Sequence, residues 1–306
     1  MTVRNAQLIL TLLLILIPVM PLKPQNIQTE LVLLGTGTPN ADPNRSGPAL
    51  AIVTGGRSYL VDFGPGVVRQ AAAVSENGGG SIEALNPKNL QVAFLTHLHS
   101  DHTAGYPDLI LTPWVLERSA PLKVFGPKGL DKMTKNIIKA YSDDIDYRIE
   151  GLEPANMNGW KVEAIEINEG MIYQDELIKV IAFKVNHGTW DEAFGYKFIT
   201  KDKTIVVSGD TAPSKQLIEM SRGVDILVHE VYSQAGFNRR SEVWKKYHAS
   251  HHTSTKELAE IANEVQPKLL VLTHVLFWGS TEEEIMEEVQ ASYSGKVSLG
   301  QDLSIY

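Results

Sequence analysis

From Leu31 onward, short runs of β-branched and aliphatic residues alternate with longer stretches whose apolar positions recur every three or four residues. The short runs predict strands at Leu31–Leu34, Leu50–Val53, Tyr59–Asp62, Val92–Thr96, Val180–Val185, Phe194–Thr200, Thr204–Ser208, Ile226–His229 and Leu269–Thr273. The longer stretches predict helices over Gly129–Tyr141, Ser254–Val265 and Thr281–Ser292, with Thr253 or Ser254 and Thr281 as N-caps. Because strands and helices intermix with no separating linker, residues 29–306 read as one layered α/β domain. Gly78, Gly79 and Gly80, followed by Asn86-Pro87, read as a turn between a helix and the next strand. Gly35-Thr36-Gly37-Thr38 follows a strand but lacks the glycine spacing of a nucleotide-binding turn.

Residues 1–28 stand apart. The apolar run Leu8–Met20 follows Arg4 and precedes a Pro/Lys/Gln segment, the charged-then-apolar order of an export signal. Its 13 residues fall short of the ~20 that a membrane-crossing helix needs. No A-x-A cleavage pattern follows, so the run suits either a signal peptide or an uncleaved N-terminal anchor. The expected location is periplasmic or extracellular, with any membrane contact made through this segment alone.

Composition then narrows the chemistry. An apolar share of 43% over 306 residues supports a large core and excludes intrinsic disorder. The net charge of −8 repels polyanions and disfavours non-specific nucleic-acid binding. With no cysteine in the chain, disulfides, thiolate nucleophiles and Cys-ligated metals are excluded, so any metal is held by His and carboxylates.

The segment Thr96-His97-Leu98-His99-Ser100-Asp101-His102 places four potential ligands in six positions directly after an apolar strand. In a turning loop His97 and His99 point one way, while Asp101 and His102 lie past the bend and face a second point. One loop can therefore seed two adjacent metal sites. Further ligands are sought at His187, Asp210 and His274, each at the exit of a predicted strand, since strand ends converge on one rim of a sheet. Imidazole and carboxylate donors suit zinc, with manganese or iron as alternatives.

His97-Leu98-His99-Ser100-Asp101-His102 resembles the H-x-H-x-D-H signature of the metallo-β-lactamase superfamily, with His187, Asp210 and His274 matching its later ligand motifs in order. The resemblance implies an αββα four-layer sandwich and two zinc ions. His97, His99 and His187 would hold one, Asp101, His102 and His274 the other, and Asp210 would bridge them. Asp62, in Val61-Asp62-Phe63-Gly64, matches an aspartate that orients a ligand from behind. Val228-His229-Glu230-Val231 and His252-Thr253-Ser254 resemble elements of the ribonuclease Z and arylsulfatase-like branch. There the glutamate and histidine protonate the leaving group, so Glu230 and His252 inherit that role and Asp101 holds a metal-bridging hydroxide in line. A carboxylate beside His252 is expected to raise its pKa. His229 is expected to be a buried hydrogen-bonding residue, and His248 and His251 to be loop residues without ligand roles.

In ribonuclease Z a tRNA-binding arm is inserted between the ligands matching His187 and Asp210, whereas here 22 residues separate them. The basic early motif keeps Arg45 but not its partners. The resulting expectation is an exported hydrolase of small phosphodiester or aryl sulfate esters, with tRNA disfavoured and a homodimer left open. Lactone or β-lactam opening and a non-catalytic metal-binding envelope protein are the alternatives. Substrate choice is expected from Tyr106–Tyr147, including Pro107, Trp114 and Arg118, and from Trp190, Phe277 and Trp278, although core packing accounts for at least half of these aromatics. Arg239, Arg240, Lys245 and Lys246 are expected on a solvated helix face.

Overall fold

The computed structural model describes residues 28–306, so the apolar run Leu8–Met20 lies outside the described residues. Two sheets face each other. The first contains, in spatial order, β1 (Glu30–Gly35), β2 (Ala49–Thr54), β3 (Arg57–Val61), β4 (Val92–Phe94), β5 (Leu122–Gly126) and β6 (Val162–Glu166). The second is built from β7 (Gly170–Gln174), β8 (Ile178–Lys184), β9 (Phe194–Thr200), β10 (Thr204–Val207), β11 (Ile226–Tyr232), β12 (Leu269–Leu276) and β13 (Val297–Leu299), again lying in chain order. Both sheets are mixed: β3 to β6 and β10 to β13 run parallel, and the hairpins β1–β2–β3 and β7–β8–β9–β10 are antiparallel.

The apolar strands need cover on both faces, and helices supply it. In β1, Leu31 and Leu33 point between the sheets while Val32 and Leu34 point outward to the first helical layer. That layer includes α1 (Val67–Val74), α2 (Ser100–Thr103), α3 (Tyr106–Val115), α4 (Leu130–Ala140) and α5 (Ser142–Glu150). In β11, Ile226 and Val228 face inward, whereas Leu227 and Val231 pack against the other layer. There lie α6 (Lys215–Ser221), α7 (Gln234–Asn238), α8 (Glu242–His251), α9 (Thr255–Val265) and α10 (Glu282–Gln290). The result is the αββα sandwich. Ser254 and Thr281 close capping boxes with Glu257 and Glu284, as their sequence positions predict.

Three expectations change. His248 and His251 lie in α8 rather than in a loop. Trp114 is buried and donates to the Asn156 carbonyl, and Arg118 is wholly buried with its guanidinium donating to the carbonyls of Leu90, Leu109, Ile110 and Gly159. Both therefore brace the first helical layer instead of meeting substrate. Arg239 and Arg240 precede α8: Arg239 donates to the Trp278 carbonyl, and Arg240 lies over Trp244 and Trp278.

Candidate metal centre

The site lies at the strand-exit ends of both sheets. After β4 the chain turns through Thr96, His97 and Leu98, and His99 caps α2, which carries Asp101 and His102. His187 follows β8 and Asp210 follows β10. Gly209 before it has φ 61°, and a Cβ there would stand 2.7 Å from the Phe194 carbonyl oxygen, so only glycine brings Asp210 round this corner.

His274 is not at a strand exit but inside β12. It is the extra residue of a β-bulge: Thr273 pairs with Glu230 and Val275 with Val231, while His274 takes φ 47° between them. Strict alternation would turn residue 274 toward the helices, beside Leu272. The bulge instead lets consecutive residues Thr273 and His274 line one small cavity between the sheets, and Val275 resumes the helix-facing phase.

Hydrogen bonding fixes which nitrogen each histidine offers. Asp62 accepts from the Thr96 backbone N–H (2.8 Å), the Thr96 hydroxyl (2.9 Å) and His102 Nδ1 (2.8 Å). The committed Thr96 hydroxyl accepts from His97 Nδ1 at 3.0 Å, so Asp62 orients two histidines, one directly and one through Thr96. His187 Nδ1 donates to the His251 carbonyl at 2.9 Å. His97 Nε2 and His187 Nε2 are thereby left as lone pairs 2.9 and 3.2 Å from His99 Nδ1. At most one proton is available among these three nitrogens, an arrangement better completed by a cation than by hydrogen bonds.

A second triad faces it. Asp101 Oδ2 lies 3.5 Å from His102 Nε2 and 3.2 Å from His274 Nε2. Asp210 stands between the triads, 3.5 Å from His102, 3.6 Å from His274 and 4.0 Å from His97. His102 Nε2 is buried without a hydrogen-bond partner. The donor set, with no sulfur, fits two divalent cations of the zinc type.

Beside Asp210, the Glu230 carboxylate accepts from the Thr253 and Thr211 backbone N–H groups through Oε1, and Oε2 faces His252 Nδ1 at 3.4 Å. Burial, then the charge of Asp210, pushes the Glu230 carboxyl well above its usual range. Burial pushes His252 down to about 4, the reverse of the sequence expectation, because desolvation outweighs the charge of Asp210. Burial likewise depresses His97, and His187 to about 4, leaving both neutral and ready to ligate. Burial opposes charge on His102 too, but Asp210 and Asp62 overcome it and hold its pKa well above normal.

Of the residues expected to shape the pocket, Trp190 packs edge-on against His99 with ring centroids 4.5 Å apart. Phe277 and Trp278 line a cleft with Asn40 and Arg45. Arg45 itself is tied to Glu282, Thr36 and Gly300. His229 is buried and bonds the Glu230 carbonyl oxygen, as expected. The sequence reading missed Thr96 as a relay and His251 as the backbone acceptor of His187. Adjacency to His97 and His252 was the only signal for either.

The Beta-lactamase superfamily domain matches residues 57–275. Ribonuclease Z of Mycobacterium bovis is 32% identical over 279 residues, covering 90% of this chain and 96% of that protein, and ribonuclease Z of Mycobacterium marinum is 31% identical over 280 residues with the same coverage. The chain belongs to the metallo-β-lactamase superfamily of hydrolases, and within it to the ribonuclease Z-like branch. The fold agrees. The metallo-beta-lactamase fold protein YhfI of Bacillus subtilis superposes with a TM-score of 0.68 at 16% identity, over 91% of this chain and 99% of its own. Human tRNase Z, short form, does so at 0.65 and 22%, over 90% and 98%.

Proposed function

We propose that the chain is a dinuclear metal-dependent phosphodiesterase acting on a small anionic ester. The observation that carries this reading is the position of Asp210 between two three-ligand clusters with the Glu230–His252 pair at its edge. His97, His99 and His187 would hold one cation, Asp101, His102 and His274 the other, and Asp210 both. Bound there, the cations supply Lewis-acid charge for the anionic phosphorus centre and make water acidic.

The chain's own groups do the rest. Burial opposes ionisation of Asp101, but the hydrogen bond from His274 and the charge of His102 outweigh it, so its carboxylate can accept a hydrogen bond from attacking water and hold it in line. Glu230 keeps a proton that His252 can pass to the leaving oxygen. Asp62 keeps His102 and, through Thr96, His97 from rotating. The ribonuclease Z relatives favour a phosphodiester over a sulfate ester. The 22 residues between His187 and Asp210 are consumed by one loop and the β9–β10 hairpin of the second sheet, which supports a small substrate over one gripped by an arm there. Export through Leu8–Met20 is part of the same proposal, checked by cell fractionation. Among the described residues no helix is long and apolar enough to cross a membrane.

A second reading, tRNA 3′ processing, is favoured by the match to ribonuclease Z over 96% of that protein's length. Zinc-loaded protein assayed on bis(p-nitrophenyl) phosphate, p-nitrophenyl sulfate and a tRNA precursor with a 3′ extension separates the readings. Phosphodiester turnover, lost with chelator and restored by zinc, is the expected result. Bound metal with no turnover of any ester would leave a binding protein, and cleavage confined to the tRNA precursor would establish the second reading.

A further inference from the structure

We propose that Tyr247 and Trp244, on the solvent side of α8, form the subsite that receives a planar aromatic group on the departing side of the ester. The inference rests on the phosphodiesterase reading and extends it to substrate choice. The helix α8 ends with His252 at its C-cap, so the histidine of the proton-delivering pair and these two rings sit on one element, the rings about one and two turns upstream. Tyr247 stacks on His251 at 4.1 Å and 23°, and the His251 ring lies 5.0 Å from His187, so an aromatic lane runs outward from a candidate ligand.

Trp244 extends the lane. It meets Tyr247 edge-on at 5.7 Å and stacks on His248 at 5.4 Å and 21°, and His248 is pressed in turn against Trp278 at 4.3 Å. Trp244 is 49% exposed and Tyr247 37%, whereas His248 behind them is buried. The platform is thus open to solvent in front and rigidly backed, the form in which an aromatic ring binds a flat ligand at little entropic cost. Arg240 lies 5.8 Å over Trp244 with no carboxylate at ion-pair distance among the described residues, so the local charge suits a ring carried by an anion. Base–aromatic stacking of this kind tolerates any π-face, so the shared chemistry is a planar ring, whether aryl or nucleobase.

Calorimetry on the zinc-loaded protein with phenylphosphonate and methylphosphonate tests the assignment. The wild type should bind the phenyl compound about tenfold more tightly, in the range of one stacked ring. Trp244→Ala and Tyr247→Ala should each remove most of that preference with methylphosphonate affinity unchanged, and Tyr247→Phe should keep it. In turnover the loss should appear in KM for bis(p-nitrophenyl) phosphate more than in kcat. A preference absent from the wild type, or intact in both alanine variants, overturns the subsite. A wild type that prefers phenylphosphonate yet hydrolyses no phosphodiester overturns the activity and leaves the subsite standing.

Discussion

The two ends of the sandwich handle buried polarity in opposite ways. At the strand-entry end, Asp175 accepts from the Tyr59 hydroxyl (2.6 Å), the Tyr173 hydroxyl (2.9 Å) and the Leu177 and Ile178 N–H groups, and pairs with Arg57. Nearby polar atoms answer one another there. At the strand-exit end, His102 Nε2, His274 Nδ1, His252 Nδ1 and Glu230 Oε2 are buried without partners, and Asp62 and His274 have positive φ. Satisfied polar networks stabilise a fold, whereas a cluster of opposed lone pairs and carboxylates costs stability until something binds. The contrast separates structure from function without any knowledge of substrate.

Substitutions should respect that division. Asp101→Asn is expected to lower kcat on the order of 10²–10⁴-fold while lowering the thermal midpoint of the metal-free protein only slightly. Against the opposing effect of burial, the hydrogen bond from His274 and the charge of His102 hold the Asp101 pKa below its usual range, and the carboxylate therefore adds a little stability. A large fall in midpoint together with full activity would reverse the assignment. Arg118→Met should do the converse: four carbonyls lose their donor, stability falls by roughly 3–5 kcal/mol in denaturant titration, and kcat per folded molecule persists. Asp175→Asn should have the smallest effect, about 1 kcal/mol. Although burial opposes its ionisation, the hydrogen bonds from Tyr59, Leu177 and Tyr173 lower the Asp175 pKa from 3.8. Its contribution is therefore present above the unfolded-state pKa and disappears as pH falls through the folded-state value. Wild type and Asp175→Asn should converge in stability on acidification below about pH 4, and a gap that widened instead would show that the carboxylate acts some other way.

How much of this was legible in the sequence follows burial. The nine predicted strands all exist, and most are covered on both faces, which is what an uninterrupted apolar run records. Four strands went unread: β6, β7 and β13, at sheet edges, gave no such run because much of each is open to solvent, and β5, although interior and mostly buried, has its short run broken by the exposed Lys123. β1 is also an edge strand, but backbone pairing with residues 303–306 covers it, and it was readable. The helix α8 escaped because Val243, Trp244 and Tyr247 face solvent and His248 is its one buried side chain, so no apolar period exists. The seven candidate ligands were visible because their spacing is chemical rather than periodic. The orientation of Thr96, the bulge at His274 and the depressed His252 depend on contacts across the sandwich, which local pattern does not encode.

The bulge in β12 carries a further lesson about how this protein tolerates change. Because one residue is counted out of the ladder, strand length itself helps aim an imidazole, and side-chain identity at neighbouring positions matters less than their number. A swap at Val275 that preserves its bulk should be absorbed, whereas deleting a single amino acid there would restore regular pairing, swing position 274 toward the helices and disarm the centre in an otherwise intact fold.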